Sequence, residues 1–502
     1  MKPSFTRRDF LKFASLLSLS CALPPTVTSL SAENQPQFEN VLILVFDAWS
    51  AANMSLYGYQ RETTPNLERL ADKAIVYHNH YAGSHYTTPG TASLLTGTTP
   101  WVHHAFDLHA KLEDHLAERT IFDAFSQYHR LTYTHNPLVQ ALLKQFTADI
   151  DELTPRERLF FESDPLFATL FDNDFDAASV SRNQAFRQKD DGFSYSLFLA
   201  KLYENHKRRS TKKVAEYFPR GVPGQGGLDF FLLEDAIDWI MSITESTSQP
   251  FLGYYHLYPP HSPYHTRLDF IDTFAHDNYK STPKPKHFLK GISAKGSVDQ
   301  QRRWYDEFVL YVDSEFARLY HELEQNGILE NTWLVLTTDH GEMFERGIMG
   351  HLTPVFYQPI MRVPLLIFPP GQESRVDVYD NTSAIDLLPT LLHATGQSIP
   401  GWAEGKVIAP FSESTSSETD DISSIQVEFA DKDGNVLVAT AMLIRGNYKL
   451  IWSFGYEQID EGELIELYNI ASDPEELHDL SRQRKDIADE FLAILKIKLQ
   501  KL

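Results

Sequence analysis

The sequence predicts an α/β fold in which a mostly parallel sheet is flanked by helices on both faces. Three almost wholly apolar runs are typical of buried parallel strands, and a polar residue follows each of them. They are Val41–Phe46 before Asp47, Phe251–Tyr255 before His256, and Trp333–Leu336 shortly before Asp339. Helical patterns separate these runs, and strands that alternate with helices indicate a parallel sheet. Ligands of such sheets gather beyond the carboxyl ends of the strands, so we expect the three polar residues at one edge.

Two helices have clear sequence signals. Thr64-Pro65 opens one that continues to Ala74, and apolar residues at helical spacing predict another from Trp304 to Leu323. Residues from about 112 to 227 lack the alternation of strand and helix, and we interpret them as a helical insertion. The α/β domain, with this insertion, is expected over residues 38–410.

The C-terminal part has a different sequence pattern from the rest of the chain. A Ser/Thr-rich acidic stretch near residues 412–424 predicts a surface loop. Alternating patterns over Ile425–Phe429, Val436–Ile444 and Tyr448–Ser453 then predict antiparallel strands, and Asp486–Leu499 predicts a closing helix. We therefore expect a smaller α+β subdomain over residues 411–502.

The first 32 residues are predicted to be an export signal. The run TRRDFLK at residues 6–12 resembles a twin-arginine signal, and a short apolar stretch follows it. This predicts a periplasmic or secreted protein. Lipid attachment at Cys21 is an alternative, although Ser18-Leu19-Ser20 before it fits the usual lipobox poorly. An ordinary amphipathic N-terminal helix is the other alternative.

Charge and composition restrict the partners. The 502 residues include 45 basic and 68 acidic ones, a net charge of −23, which argues against nucleic acid or an anionic membrane as the main partner. No apolar run is long enough to predict a transmembrane helix. The single cysteine excludes a disulfide framework and a Cys-rich metal cluster. The classes of substrate that remain are a small molecule, a lipid or a glycan.

The most informative segment is GSHYTTPGTASLLTG at residues 83–97, which predicts a loop that leads into a short helix. Thr87 or Thr88 is expected at the N-cap, Pro89 at the first helical position, and Gly97 at the end. Free N–H groups at a helix start suit a tetrahedral oxyanion. A hydroxyl there could attack a phosphoryl or sulfuryl centre if a metal ion stabilised its alkoxide. The alternative is a capped helix without chemistry.

Residues at the other strand ends supply the remaining groups. The carboxylates of Asp47 and Asp339, the imidazole of His340 and the oxygen of Thr87 suit one divalent ion, namely Mn²⁺, Zn²⁺, Mg²⁺ or Ca²⁺. Either Asp alone would equally serve as a helix cap.

Several histidines lie near these segments in sequence. His261 and His351 could hold ester oxygens or protonate a leaving group. We interpret His256, His103 and His104 as structural.

The chain resembles the sulfatase-like branch of the alkaline phosphatase superfamily over most of residues 38–480. The matching segments occur in the family's order, and they include VLILVFD, TTPGTASLLTG, HLYPPHSPY, LTTDHGE, MGHLTPVF and ELYNIASDPEELHDL. The resemblance implies an alkaline-phosphatase-like α/β core, a smaller C-terminal subdomain and a divalent metal beside the nucleophile. By position it puts the nucleophile on Thr87, the metal ligands on Asp47, Asp339 and His340, and oxyanion contacts on His261 and His351.

The departures from the family pattern bear on the chemistry. True sulfatases convert the Cys or Ser of a C/S-x-P-x-R motif to formylglycine, whereas this chain has Thr87 there and Thr91 in place of the arginine. The acidic pair after the first strand is reduced to Asp47-Ala48, and His340 stands where many sulfatases have Asn. These features look more like the phosphoethanolamine and phosphoglycerol transferases or the phosphodiesterases, although those transferases usually have a membrane domain.

The resulting hypothesis is a metal-dependent hydrolase or transferase of phosphate esters with Thr87 as its nucleophile. A sulfatase that works without formylglycine is the second hypothesis. A family member that binds an anionic ligand without turning it over is the third.

Overall fold

The computed structural model describes residues 38–161, 177–178, 194–225, 229–289, 297–412 and 421–502. The proposed export signal, with Cys21, lies outside the described residues, and the proposed insertion lies only partly within them. Within these ranges no helix is long and apolar enough to cross a membrane.

The strands are, in chain order, β1 (Asn40–Phe46), β2 (Ile75–Tyr81), β3 (His129–Thr134), β4 (Glu152–Leu153), β5 (Gly224–Gln225), β6 (Asp229–Phe230), β7 (Phe251–Leu257), β8 (Thr332–Thr337), β9 (Phe344–Glu345), β10 (Ile348–Met349), β11 (Leu365–Phe368), β12 (Val376–Ser383), β13 (Ile422–Ala430), β14 (Val436–Arg445), β15 (Tyr448–Phe454) and β16 (Glu463–Asn469). The described α-helices are α1 (Pro65–Leu70), α2 (Thr87–Thr96), α3 (Pro100–His103), α4 (Asp114–Ala117), α5 (Ile121–Ala124), α6 (Pro137–Leu143), α7 (Ser194–Ser210), α8 (Leu233–Ser246), α9 (Val298–Gln325), α10 (Gln358–Met361), α11 (Leu387–Ala394) and α12 (Lys485–Leu499).

An eight-stranded sheet in the order β12-β2-β11-β8-β1-β7-β3-β4 forms the centre of the fold. Its neighbouring strands pair in parallel, except that β11 is antiparallel to both β2 and β8. The expected mostly parallel α/β sheet is therefore confirmed. The three strands predicted from apolar runs are the adjacent trio β8-β1-β7, in which Val45 pairs with both His256 and Thr337. Their carboxyl ends consequently meet at one edge.

Alternate residues of β1 face opposite sides of the sheet, as its buried position requires. Leu42, Leu44 and Phe46 pack with residues of α8 and α9, whereas Val41, Ile43 and Val45 pack with residues of α2 and α11. Helices therefore cover both faces of the sheet.

The segment at 112–227 differs from its interpretation as a helical insertion. It contributes α4, α5, α6 and α7, but it also contributes β3, which pairs in parallel with β7, and β4. The strand sequence HRLTYT has polar residues at alternate positions, so it lacks the continuous apolar run of a buried parallel strand. Leu131 and Tyr133 are nevertheless buried.

The C-terminal region contains a four-stranded antiparallel sheet in the order β13-β14-β15-β16, with α12 packed on it. Phe491 and Leu495 of α12 share a buried cluster with Ala439 and Leu450 of the sheet. The predicted antiparallel sheet and closing helix are confirmed.

Candidate active site

Asp47 directly follows β1, and its side chain is fully buried. The Asn136 Nδ2 donates to Asp47 Oδ2 at 2.6 Å, and His256 Nε2 lies 3.3 Å from the same oxygen. The other oxygen, Oδ1, has no hydrogen-bond partner among the described residues. A buried acceptor without a partner costs free energy, and a ligand bound to this oxygen would remove that cost.

Asp339 lies two residues beyond β8 and is also fully buried. Its Oδ1 accepts hydrogen bonds from the backbone N–H groups of His340, at 3.0 Å, and Ala48, at 3.3 Å. Ala48 has a left-handed φ of 61°, which is uncommon for alanine and indicates local backbone strain. Asp339 Oδ2, like Asp47 Oδ1, finds no hydrogen-bond partner in the described part of the chain.

His340 completes a possible metal site. Its Nδ1 lies 2.9 Å from the carbonyl oxygen of Gly341 and donates to it, which leaves a lone pair on Nε2. That Nε2 lies 3.5 Å from both Asp47 Oδ1 and Asp339 Oδ2. One ligand atom from each of the three side chains lies within 4.8 Å of the others. Two free carboxylate oxygens and one imidazole nitrogen fit a divalent cation.

The electrostatics of these groups agree with that fit. Burial by itself raises the pKa of Asp47, but His261 and the hydrogen bond from His256 outweigh it and hold the pKa below its ordinary value. Burial and the charge of Asp47 raise the pKa of Asp339, and burial lowers the pKa of His340. A bound cation would offset both the repulsion between the carboxylates and the cost of burying them.

Thr87 is the first residue of α2, and the N-cap is Tyr86 rather than Thr87 or Thr88 as expected. Pro89 is accordingly the third helical residue instead of the first, whereas Gly97 ends the helix in the left-handed region, as predicted. The Thr87 side chain is only 2% exposed, and its Oγ1 lies 3.3 Å from His340 Nε2. The hydroxyl and the three possible metal ligands are therefore brought together.

Gly90, in the first turn of α2, allows this close approach. A Cβ atom at this position would lie 2.4 Å from the carbonyl oxygen of Asp339. The start of the helix therefore packs directly on the backbone that follows β8.

His261 and His351 lie beside the same site. The ring of His351 is 4.3 Å from that of His340 and 4.8 Å from that of His261, between centroids. The Nδ1 of His351 donates to Glu342 Oε1 at 3.0 Å, and the Nδ1 of His261 donates to the carbonyl oxygen of Ser262 at 2.7 Å. In each ring these contacts involve Nδ1 and do not use Nε2.

Three further residues contact the site although they were not predicted as site residues, and of these only His256 was expected at the same edge of the sheet. His256, interpreted as structural, has its Nε2 3.3 Å from Asp47 Oδ2 and 3.7 Å from Asp339 Oδ2. Asn136 lies in the segment interpreted as a helical insertion, and Glu342 orients His351. An Asn-Pro pair that begins two residues beyond a short alternating strand is the signal that could have identified Asn136.

The other two histidines interpreted as structural have partners within the fold. His103 Nε2 lies 3.0 Å from Ser93 Oγ, and its Nδ1 accepts from the N–H of Ala105 at 3.1 Å. His104 Nε2 donates to the carbonyl oxygen of Trp101 at 2.9 Å.

Comparison with known proteins connects this geometry with a family. The sulfatase family model matches residues 39–397, and the model of the N-sulphoglucosamine sulphohydrolase C-terminal region matches residues 352–502. The multifunctional alkaline phosphatase superfamily protein PehA of Trinickia caryophylli is 25% identical over 419 residues, 74% of this chain and 77% of that protein. An ulvan-active sulfatase of Formosa agariphila is 23% identical over 418 residues, 81% of this chain and 71% of that protein.

A solved structure supports the fold. The phosphonate monoester hydrolase of Agrobacterium radiobacter superposes with a TM-score of 0.63 at 17% identity, and the match covers 92% of this chain and 96% of that one.

Proposed function

The chain belongs to the sulfatase family, and from that premise we propose that it is a metal-dependent ester hydrolase that acts on phosphate esters with Thr87 as its nucleophile. One observation supports this most directly. The Thr87 hydroxyl, at the start of a buried helix, lies 3.3 Å from His340 Nε2, which itself lies 3.5 Å from the free oxygens of Asp47 and Asp339.

Asp47, Asp339 and His340, with the Thr87 oxygen, would hold one divalent ion. When bound, such an ion favours the alkoxide form of a hydroxyl and offsets negative charge on a transferring phosphoryl group. The free N–H groups at the start of α2 add positive potential at the same place.

Thr87, His351 and His261 have separate roles in the proposed reaction. The Thr87 hydroxyl loses its proton to solvent, and its oxygen forms a bond to phosphorus while the bond from phosphorus to the leaving oxygen breaks, which gives a phosphothreonine. His351, which contacts Glu342 through Nδ1, would protonate the leaving oxygen from its Nε2, and His261 would hold an equatorial oxygen. Attack by water then releases phosphate and restores the Thr87 hydroxyl.

The identity of residue 87 favours phosphate over sulfate. Threonine is a secondary alcohol, so its oxidation cannot produce the formylglycine aldehyde that sulfatases require. Sulfate esters remain the second candidate, because several similar proteins, including the Formosa enzyme, are named as sulfatases.

The test compares Thr87→Val, which removes the hydroxyl and keeps the shape, with Thr87→Ser, which keeps a hydroxyl. Both variants and the parent are assayed on aryl phosphate monoesters, phosphate diesters and sulfates at equal protein concentration. We expect phosphate ester turnover to fall at least about 10³-fold in Thr87→Val and far less in Thr87→Ser. Unchanged turnover in Thr87→Val would remove the nucleophile role, and turnover of sulfates alone would establish the second candidate.

Metal content provides a readout that is independent of turnover. We expect about one bound divalent ion per chain in the parent and in Thr87→Val, and its loss in Asp339→Ala. Retention of the ion by Asp339→Ala would contradict the ligand set.

A further inference from the structure

A shallow cavity of about 490 Å³, open to solvent, lies between the loop that follows His351 and the C-terminal sheet. Its apolar walls include Leu352, Pro354, Val438 and Tyr456, and its polar lining includes Glu428 and Glu457. This volume suits a ligand of one or two rings.

Two connections place the cavity beside the candidate active site. Leu352 directly follows His351 in the chain. On the other side, Gln426 Nε2 donates to Glu428 Oε1 at 3.1 Å and to the carbonyl oxygen of Phe106 at 2.8 Å. The Tyr86 hydroxyl donates to that same carbonyl oxygen, and Tyr86 directly precedes Thr87. One wall of the cavity is therefore adjacent in sequence to the proposed proton donor, and the opposite wall is connected through Gln426 and the Phe106 carbonyl to Tyr86, the residue before the proposed nucleophile.

The lining has a distinct chemical character. Leu352 is 66% exposed, which leaves a large apolar side chain without cover at the mouth of the cavity. Glu428 and Glu457 supply negative charge, and among the described residues that line the cavity there is no Lys or Arg. An anionic group would therefore be repelled, whereas an apolar ring or a cation would be accepted.

We propose that this cavity is the leaving-group subsite, and that it selects a ring-sized alcohol with an apolar face and no negative charge, with preference for a cationic substituent. The proposal rests on the proposed function, because a leaving-group subsite requires a phosphoryl group bound at Thr87, and it takes its location from Leu352, which directly follows the proposed proton donor His351. Highly sulfated or carboxylated glycans would be poor substrates.

The experiment uses three aryl phosphates that differ only in the group opposite the phosphate: those of tyramine, para-ethylphenol and phloretic acid. These leaving groups are cationic, neutral and anionic at neutral pH. We expect kcat/KM to fall in that order in the parent. In the double variant Glu428→Gln/Glu457→Gln, we expect the ratio of tyramine phosphate to phloretic acid phosphate to fall about tenfold.

Two further variants test the specificity of the effect. Glu373→Gln removes an exposed carboxylate between β11 and β12, outside the cavity, and should leave the ratio unchanged. Leu352→Ala should lower kcat/KM for the neutral ester severalfold without changing the ratio.

The outcomes separate the two proposals. Turnover that depends on Thr87 but shows the same charge ratio in the parent and the double variant would overturn the subsite and leave the function in place. If no Thr87-dependent turnover exists, the function fails, and calorimetric binding of the three free phenols then tests the cavity directly. Equal affinity for tyramine and phloretic acid in that measurement would overturn the subsite as well.

Discussion

Substitution of Gly90 by alanine gives the most direct test of how α2 meets the end of β8. The added Cβ would lie 2.4 Å from the carbonyl oxygen of Asp339 and 3.2 Å from its carbonyl carbon. Both are backbone atoms, so no side-chain rotation can relieve the contact. The helix or the strand end must move until the separation reaches the 3.4 Å at which ordinary contact begins.

The magnitude follows from two opposing effects. Alanine is more favourable than glycine inside a helix by about 1 kcal/mol. Overpacking of a rigid contact costs about 1–3 kcal/mol, so the net decrease in the free energy of unfolding should be up to about 2 kcal/mol. Thr87 lies on the same turn as Gly90, and a displacement of about 1 Å at a reacting group costs about 10²-fold in rate. Activity should therefore fall more than stability alone would explain.

The assay combines denaturant unfolding with kcat on the preferred ester. Gly401→Ala is the matched control, because a Cβ atom there meets nothing within 4 Å, and it should match the parent in both measurements. A Gly90→Ala variant as stable and as active as the parent would refute the close approach of α2 to Asp339.

Two further predictions concern residues that sequence alone did not identify. Asn136→Ser retains an oxygen that can cap α6 but loses the 2.6 Å hydrogen bond to Asp47. Metal titration should therefore show about 10–100-fold weaker binding without loss of the fold. Unchanged metal affinity would contradict this role of Asn136. Burial raises the pKa of Asp313 to about 6, although hydrogen bonds from Asn66 and Leu67 oppose the shift. Because the folded state holds the proton more tightly than the unfolded one, this contribution is fully present below about pH 4 and is lost as the pH rises through about 6. Relative to Asp313→Asn, the parent should lose about 2 kcal/mol of unfolding free energy between pH 4 and pH 7, and parallel stability curves for the two proteins would contradict it.

The parts of the fold with strong local signals were predictable. The strands β1, β7 and β8 are continuous apolar runs, because helices cover both of their faces, and such runs are visible in one sequence. By contrast, β3 lies nearer the edge of the sheet and alternates polar with apolar residues. It therefore lacks the continuous apolar sequence that identified the central strands. Its assignment depends on pairing with β7, which is a tertiary contact.

The same distinction applies to the candidate site. Because parallel strands end at the same edge of a sheet, the residues that directly follow the central strands could be placed together from the sequence. The exact start of α2 could not be placed, because Tyr86 takes the N-cap position with an extended backbone and a hydroxyl bound to the carbonyl oxygen of Phe106. Asn136 is 89 residues from Asp47 in the chain, and only the order of strands in the sheet brings the two together.

The hydrogen bonds of the two buried carboxylates also bear on the number of metal ions. Asp47 uses Oδ2 for Asn136 and His256, and Asp339 uses Oδ1 for backbone N–H groups, so each carboxylate is half satisfied. In a purely structural cluster all four oxygens would be paired, because a buried acceptor without a partner costs about 1–3 kcal/mol. The two oxygens left over, with His340 Nε2 and the Thr87 hydroxyl, would supply one set of donors for the proposed ion. A second ion would need the oxygens that Asn136 and the backbone already occupy, so the arrangement favours a single-ion site.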